Sequence, residues 1–239
     1  MPALLSYVLL ARSFDQKEIA VSYTNLRDGL LKSMAIRDKW TEDYRKQVIR
    51  SAVHLGRRFD IDEKHSRHVA DLAVKIFVEL RAEHQLEQRM ELILYLAAML
   101  YDLGAYISTR SSHKHSMYII RHSELFGLSR KDVLLVSLVA RYHRRSSPQP
   151  DHEGYSTLDR RERVAVSKLA AILRLAIALD DSRSQRISEI RCKVTAKRMI
   201  VSAIGVEDVS LEQLAFRESS GLFEETYGIP CQLRAGQAE

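Results

Sequence analysis

From about residue 36 to residue 182, apolar side chains recur at helical spacing with almost nothing to interrupt them. Val69, Leu72, Ala73, Ile76, Phe77 and Leu80 fall on one stripe of a helix, as do Trp40, Tyr44, Val48, Ala52, Leu55 and Phe59. Residues 89–101 are apolar almost all round, which predicts a helix at the centre of a bundle, ended by Gly104. A fourth helix is expected over 113–123. Asp62 reads as an N-cap, and Ser129 with Asp132 and Asp159 with Glu162 read as capping pairs that open helices to about 144 and 181. Pro148 and Pro150 mark the loop between those two. Nine glycines and four prolines in 239 residues make about 5%, against a usual ~12%, too few for an all-β barrel or a disordered chain.

Both ends break this pattern. Residues 3–13 read as a short helix and Glu18–Tyr23 as a strand, yet no second strand candidate follows until about residue 190. Such a strand must pair with the C-terminal strands or with a sheet outside this chain, because its backbone groups need partners. Ile190, Cys192 and Val194 alternate, as do Met199, Val201 and Ala203. Val209 to Phe223 reads helical and Ile229 to Leu233 strand-like, a small β-β-α-β tail. The expected fold is therefore mainly α: a helical bundle over 36–187, a short αβ segment over 1–35, and an α+β subdomain over 188–239. The longest apolar run, Leu92 to Tyr101, is short of the ~18 residues of a membrane span. Met1 to Phe14 lacks the basic start and cleavage site of a signal peptide. Cys192 and Cys231 cannot build a disulfide framework or a four-cysteine zinc site, and read as buried free thiols of a reducing compartment. A cytoplasmic protein with no membrane partner is expected.

The net charge of +6 suggests an anionic partner or an ordinary basic surface. His65, His113, His115, His122 and His143 lie on helices. Asp102 sits at the C-terminal end of the central helix, where a carboxylate opposes the dipole by ~0.3–1 kcal/mol and calls for an Arg, a His or a metal. These residues fit either a metal site or a set of core histidines bonded to backbone and to Asp102. Lys114, Arg141, Arg144, Arg145, Arg174, Arg183 and Arg186 suit phosphate oxygens, or else salt bridges to Asp102, Asp180 and Asp181.

Asp62–Val69, Leu96–Gly104 with Ile107, His113–Ile120, Arg141–Arg145 and Leu173–Asp181 together resemble the C-terminal region of the exopolyphosphatase/guanosine pentaphosphate phosphatase (Ppx/GppA) family. Glu18–Ser22 and Leu26–Leu31 are similar to the end of that family's second actin-like domain. The resemblance implies an HD-like helical domain, named for a metal-binding His-Asp pair. The motif positions here read Leu100-Tyr-Asp-Leu-Gly104 and Ala176-Ile-Ala-Leu-Asp180. His65 and Asp102 stand at ligand positions, but Tyr101 and Ile177 replace a His and an Asp. A phenol of pKa about 10 is a poor ligand, and two ligands fall short of three. The resemblance thus implies a degenerate HD site of His65, Tyr101, Asp102, His115 and Ile177 without metal, which His115 or Asp180 would have to complete.

In the family, phosphohydrolysis belongs to the actin-like pair, and no glycine-rich phosphate cradle is visible here. The chain reads as starting near the end of that pair, either as a fragment or as a standalone homologue. Magnesium or another divalent ion is expected only with a separate catalytic domain. What the resemblance implies is a module that binds polyphosphate or guanosine polyphosphates through Lys114, Arg141, His143, Arg144, Arg145, Arg174, Arg183 and Arg186, without phosphatase activity alone. Its partners would include an actin-like phosphatase domain and a second copy of the chain. The alternatives are a standalone metal-dependent HD-type phosphohydrolase and, on charge alone, a nucleic-acid-binding protein.

Overall fold

The computed structural model describes residues 2–15 and 41–236. It divides into two units, residues 1–41 and 42–239. The first contains helix α1 (Pro2–Ser13). The strand expected at 18–23 and the first residues of the bundle, with Trp40, lie outside the described residues.

The second unit is built from α2 (Glu42–Arg58), α3 (Glu63–Glu79), the short α4 (Arg81–His84), α5 (Arg89–Leu100), α6 (Ser112–Arg121), α7 (Arg130–Arg141) and α8 (Arg160–Ala178). Then come β1 (Glu189–Val194), β2 (Met199–Ile204), α9 (Ser210–Ser219), α10 (Gly221–Tyr227) and β3 (Cys231–Gly236). The fold is mainly α with a small sheet, as the periodicity predicts. The expected helix at 209–223 is two helices that meet at Ser220, so the tail is β-β-α-α-β.

Three predicted starts have their caps. Asp62 Oδ1 accepts the His65 N–H at 3.0 Å. Ser129 with Asp132, and Asp159 with Glu162, form reciprocal capping boxes. Such caps contribute about 1 kcal/mol each. The first also fixes His65 on the opening turn of α3.

Helix α5 buries Met90 and every residue from Leu92 to Leu100. It packs against α2, α3, α7 and α8. In the tail, β1 and β2 pair antiparallel, and β2 and β3 pair parallel. The crossover between β2 and β3 carries α9 and α10 onto α8, while β1 lies on α3. Burial alternates along β2, with Met199, Val201 and Ala203 facing inward. No helix among the described residues is long and apolar enough to cross a membrane.

After α5 a 3-10 turn (Leu103–Tyr106) meets α6 at very close range. Ser116 Oγ donates to the Tyr101 carbonyl at 2.6 Å and accepts the Gly104 N–H at 2.8 Å. A Cβ on Gly104 would lie 2.0 Å from the Ser112 carbonyl oxygen and 2.5 Å from the Ser116 nitrogen, both backbone atoms. Gly104→Ala should therefore cost about 3 kcal/mol or more, because α6 must move as a body. Urea unfolding measures this, and a loss below ~1 kcal/mol would show that the two segments yield easily.

Candidate functional site

Two polar constellations flank the end of α5, one closed and one open. In the closed one, His65 is buried between Asp180 and Tyr101. Its Nδ1 lies 2.7 Å from Asp180 Oδ2 and its Nε2 lies 2.8 Å from the Tyr101 hydroxyl. Burial pushes the Asp180 carboxyl up, but the bonds from His65 and Gln185 outweigh it and hold the group below its ordinary range. Asp180 is thus a carboxylate that can only accept, which puts the proton on Nδ1. Nε2 then accepts from Tyr101, whose phenol burial and then the charge of Asp102 push well above its ordinary value. Gln185 closes the far side, its N–H donating to Asp180 Oδ1 at 2.7 Å and its amide to Oδ2 at 3.2 Å.

This knot does not fit a divalent ion. Both imidazole nitrogens are committed, and Asp102 Oδ2 takes a hydrogen bond from Arg183 at 3.0 Å. Ile177 offers no donor. Among the described residues, no three His, Cys, Asp or Glu side chains converge as ligands, His115 included. Tyr101 is 4% exposed, so the linked Tyr-His-Asp series presents no accessible nucleophile. The expected partner of Asp102 is Arg183. His65 bonds Tyr101 and Asp180 rather than Asp102.

The open constellation lies where the N-terminus of α6 meets the C-terminus of α7. His113 is surrounded by Lys114, Arg141, Arg144 and Arg145. Burial, then the fields of Arg144, Arg145, Lys114 and Arg141, pull its pKa down to about 4. None of these four cations is ion-paired to a carboxylate among the described residues. Lys114 and Arg145 are exposed. Arg144 Nη2 donates to the Thr109 carbonyl at 2.8 Å, while its Nε and His113 Nδ1 are buried without a hydrogen-bond partner. Ser111 precedes α6 without a side-chain cap bond, so the positive end of that helix dipole adds to the same field.

The other expected anion ligands are engaged elsewhere. Arg174 is buried, donating to the carbonyls of Tyr142 (2.7 Å), Arg145 (3.0 Å) and Ser146 (2.9 Å). It therefore braces the 142–146 turn from beneath instead of facing an anion. His143 is buried against Tyr101, ring centroids 4.9 Å apart, and donates to the Ala140 carbonyl at 2.7 Å. Burial pushes its pKa down to about 3, so it carries no charge for an anion. Arg183 is paired with Asp102, and Arg186 with the buried Glu212 at 3.2 Å. Sequence reasoning missed the roles of His113 and Gln185 in these constellations. The only signal for His113 was its place beside Lys114 at a helix start.

The helices that carry both constellations are also the part of the chain shared with known proteins. The description "Ppx/GppA phosphatase, domain III" matches residues 48–216. The chain belongs to the Ppx/GppA phosphatase family. The guanosine-5'-triphosphate,3'-diphosphate pyrophosphatase of Vibrio cholerae is 30% identical over 161 residues, covering 66% of this chain and 30% of that protein. The protein of the same name from Photobacterium profundum is 24% identical over 203 residues, 81% of this chain and 39% of its own length. That from Pseudoalteromonas translucida is 27% identical over 173 residues, 72% and 33%. The chain spans about a third of the length of the curated relatives it matches.

His143 makes the stability of this Ppx/GppA chain pH-dependent. In the unfolded chain a histidine takes a proton near pH 6.5, whereas folded His143 resists it down to about 3. The stabilisation is complete above pH 6.5 and is lost as the pH falls, by up to ~1.4 kcal/mol per pH unit for one group. Denaturant titrations between pH 7 and 4 should show this decline, and His143→Asn should flatten it. An unchanged slope in the variant would contradict the assignment.

Proposed function

We propose that this domain III chain is a phosphate-chain-binding module whose ligand is polyphosphate or a guanosine polyphosphate. The observation that carries the reading is the group of Lys114, Arg141, Arg144 and Arg145, gathered where the N-terminus of α6 meets the C-terminal end of α7, with no carboxylate partner among the described residues. Four like charges held together raise the energy of the free protein, and an anion with several phosphoryl groups relieves it. Arginine forks match pairs of phosphate oxygens, and Lys114 supplies a mobile point charge. The names of the relatives favour a guanosine polyphosphate.

In this reading the helical domain over 36–187 holds the ligand and the α+β tail over 188–239 supports it. Hydrolysis belongs to an actin-like unit, of which residues 1–35 are a part, and this module alone is not an efficient phosphatase. Splitting a phosphoanhydride needs a positioned water and neutralised charge on the transferred group. The His65 knot supports neither, and among the described residues no three His, Cys, Asp or Glu side chains converge to support the metal-dependent HD phosphohydrolase reading. A second copy of the chain remains a proposed partner. A cytoplasmic setting fits the free thiols of Cys192 and Cys231, both pushed up to about 12 chiefly by burial and so inert.

Titration calorimetry at low salt should show binding of long-chain polyphosphate and of inorganic tripolyphosphate, without phosphate release. Affinity should fall steeply with added salt, as counterion release requires. Lys114→Glu with Arg145→Glu, both at exposed positions, should weaken binding by about tenfold or more and flatten the salt slope by about one per lost contact. Absence of binding to polyphosphate at low salt would refute the reading.

A further inference from the structure

His113, near the start of α6, stands in a field of one sign. Lys114 follows it on the same helix, Arg141 acts from the end of α7, and Arg144 and Arg145 act from the turn after it. His143, on the same turn, is buried and uncharged. Arg144 is tied to the Thr109 carbonyl, on the loop that leads into α6. The strongest charges on the His113 ring are thus all cationic, and the positive end of the α6 dipole adds to them. Burial and these fields pull its pKa down to about 4, so the imidazole is neutral near pH 7.

The ring also lacks the fixed partner that other enclosed histidines have. His65 is bonded to Asp180, His84 to the Phe77 carbonyl and His143 to the Ala140 carbonyl. His113 Nδ1 is buried with no hydrogen-bond partner, and so is Nε of Arg144, the cation that acts on it most strongly. An apolar side chain would fill the same space without leaving a buried polar atom unbonded. What an imidazole adds is a second state, in which it carries a positive charge and donates from both nitrogens. A phosphate chain lying on the four cations cancels the fields that keep the proton off, and its oxygens accept charge-assisted hydrogen bonds. Arg144 is only half-buried, so a small shift of its guanidinium toward the ligand opens the way to Nδ1.

We propose that His113 is a proton-coupled phosphate ligand: neutral in the free protein, it takes up one proton from solvent as a phosphate chain settles on Lys114, Arg141, Arg144 and Arg145, and it then donates from Nδ1 to a phosphate oxygen. The inference rests on the phosphate-binding reading above and adds to it a further ligand residue and a proton. Binding and protonation then favour each other, so affinity rises as the pH falls. A return of the His113 pKa from about 4 to the ordinary ~6.5 tightens binding about tenfold between about pH 8 and about pH 5.5.

The test follows binding of long-chain polyphosphate to the whole chain by titration calorimetry over that pH range. The internal phosphoryl groups of this probe stay ionised throughout, so the ligand itself changes little. Wild type should tighten about tenfold more than His113→Gln, whose amide cannot take a proton. Protonation elsewhere on the surface acts on both proteins alike. At the lower pH, titrations in buffers of different ionisation enthalpy should show wild type taking up nearly one proton more per protein than the variant. Ring NMR of His113 in the wild type, which does not depend on the variant folding, should show imidazolium near pH 6 with polyphosphate and a neutral ring there without it. If polyphosphate binds but the variant tightens as much as wild type, or the bound ring stays neutral at about pH 5.5, His113 is not a ligand and the phosphate reading stands. If polyphosphate binds at no pH in the range, both fall together.

Discussion

A helix that buries Met90 and all of Leu92 to Leu100 has no face to give to water. It can exist only where other helices cover every side, and α2, α3, α7 and α8 do so. That enclosure has a consequence at its C-terminal end. The chain leaves α5 while still inside the protein, carrying the Tyr101 carbonyl and hydroxyl with it. Buried polar groups without partners cost about 1–3 kcal/mol each. Ser116 meets the carbonyl and His65 meets the hydroxyl. With its Nε2 accepting from that hydroxyl, His65 needs an acceptor for its Nδ1–H, which Asp180 provides just past the end of α8. The polar knot is thus the means by which the bundle ends its central helix without orphaned groups. It ties α3, α5 and α8 together at one point.

Charge is distributed by the same logic. Inside and around this knot, several charged groups have an opposite or a dipolar partner: Asp180 with His65 and Gln185, Asp102 with Arg183, Glu212 with Arg186, Arg174 with three carbonyls. Removing one side of the buried His65–Asp180 pair typically costs about 3–5 kcal/mol, whereas the more exposed Asp102–Arg183 pair contributes ~1 kcal/mol or less. The cations around His113 are different. They lower a neighbour's proton affinity, receive no carboxylate, and leave two buried nitrogen atoms unbonded. Arg144 bonds the Thr109 carbonyl and Arg141 closes the last turn of α7, but no carboxylate neutralises the group. An external anion is the simplest agent that would complete it.

Much of this was legible in the chain because it depends on local spacing. The α5 core, the caps at Asp62, Ser129 and Asp159, and the need of Asp102 for a partner all follow from residues within a few positions of one another. What spacing could not supply was the direction of single side chains across long separations. Asp180 reaches His65 over 115 positions. Arg174 looked like any other arginine of a basic motif, yet α8 turns it inward beneath the 142–146 turn. His143 lies just past Arg141, the last residue of α7, yet its ring packs inward against Tyr101. The break at Ser220 carries no proline and only one adjacent glycine, Gly221, so a single helix was the natural reading of Val209 to Phe223.

Helix α6 joins the closed and open constellations, because its two faces do different jobs. Ser112, Ser116, Met117, Ile119 and Ile120 are buried, and Gly104 packs against its backbone more closely than any side chain would allow. That contact leaves α6 little freedom to slide or rotate. Its outer face, with Lys114 and Tyr118, is therefore held in position before any ligand arrives. A ligand meeting a fixed surface loses less ordering energy than one that must assemble it. Arg144 is set by a related constraint, since its bond to the Thr109 carbonyl ties it to the loop that leads into α6. Gly104 does not itself end the central helix, which stops at Leu100; it sits in the 3-10 turn that follows. By letting α6 come so near, it transmits the rigidity of the apolar core to a cationic surface that the described salt bridges leave uncompensated.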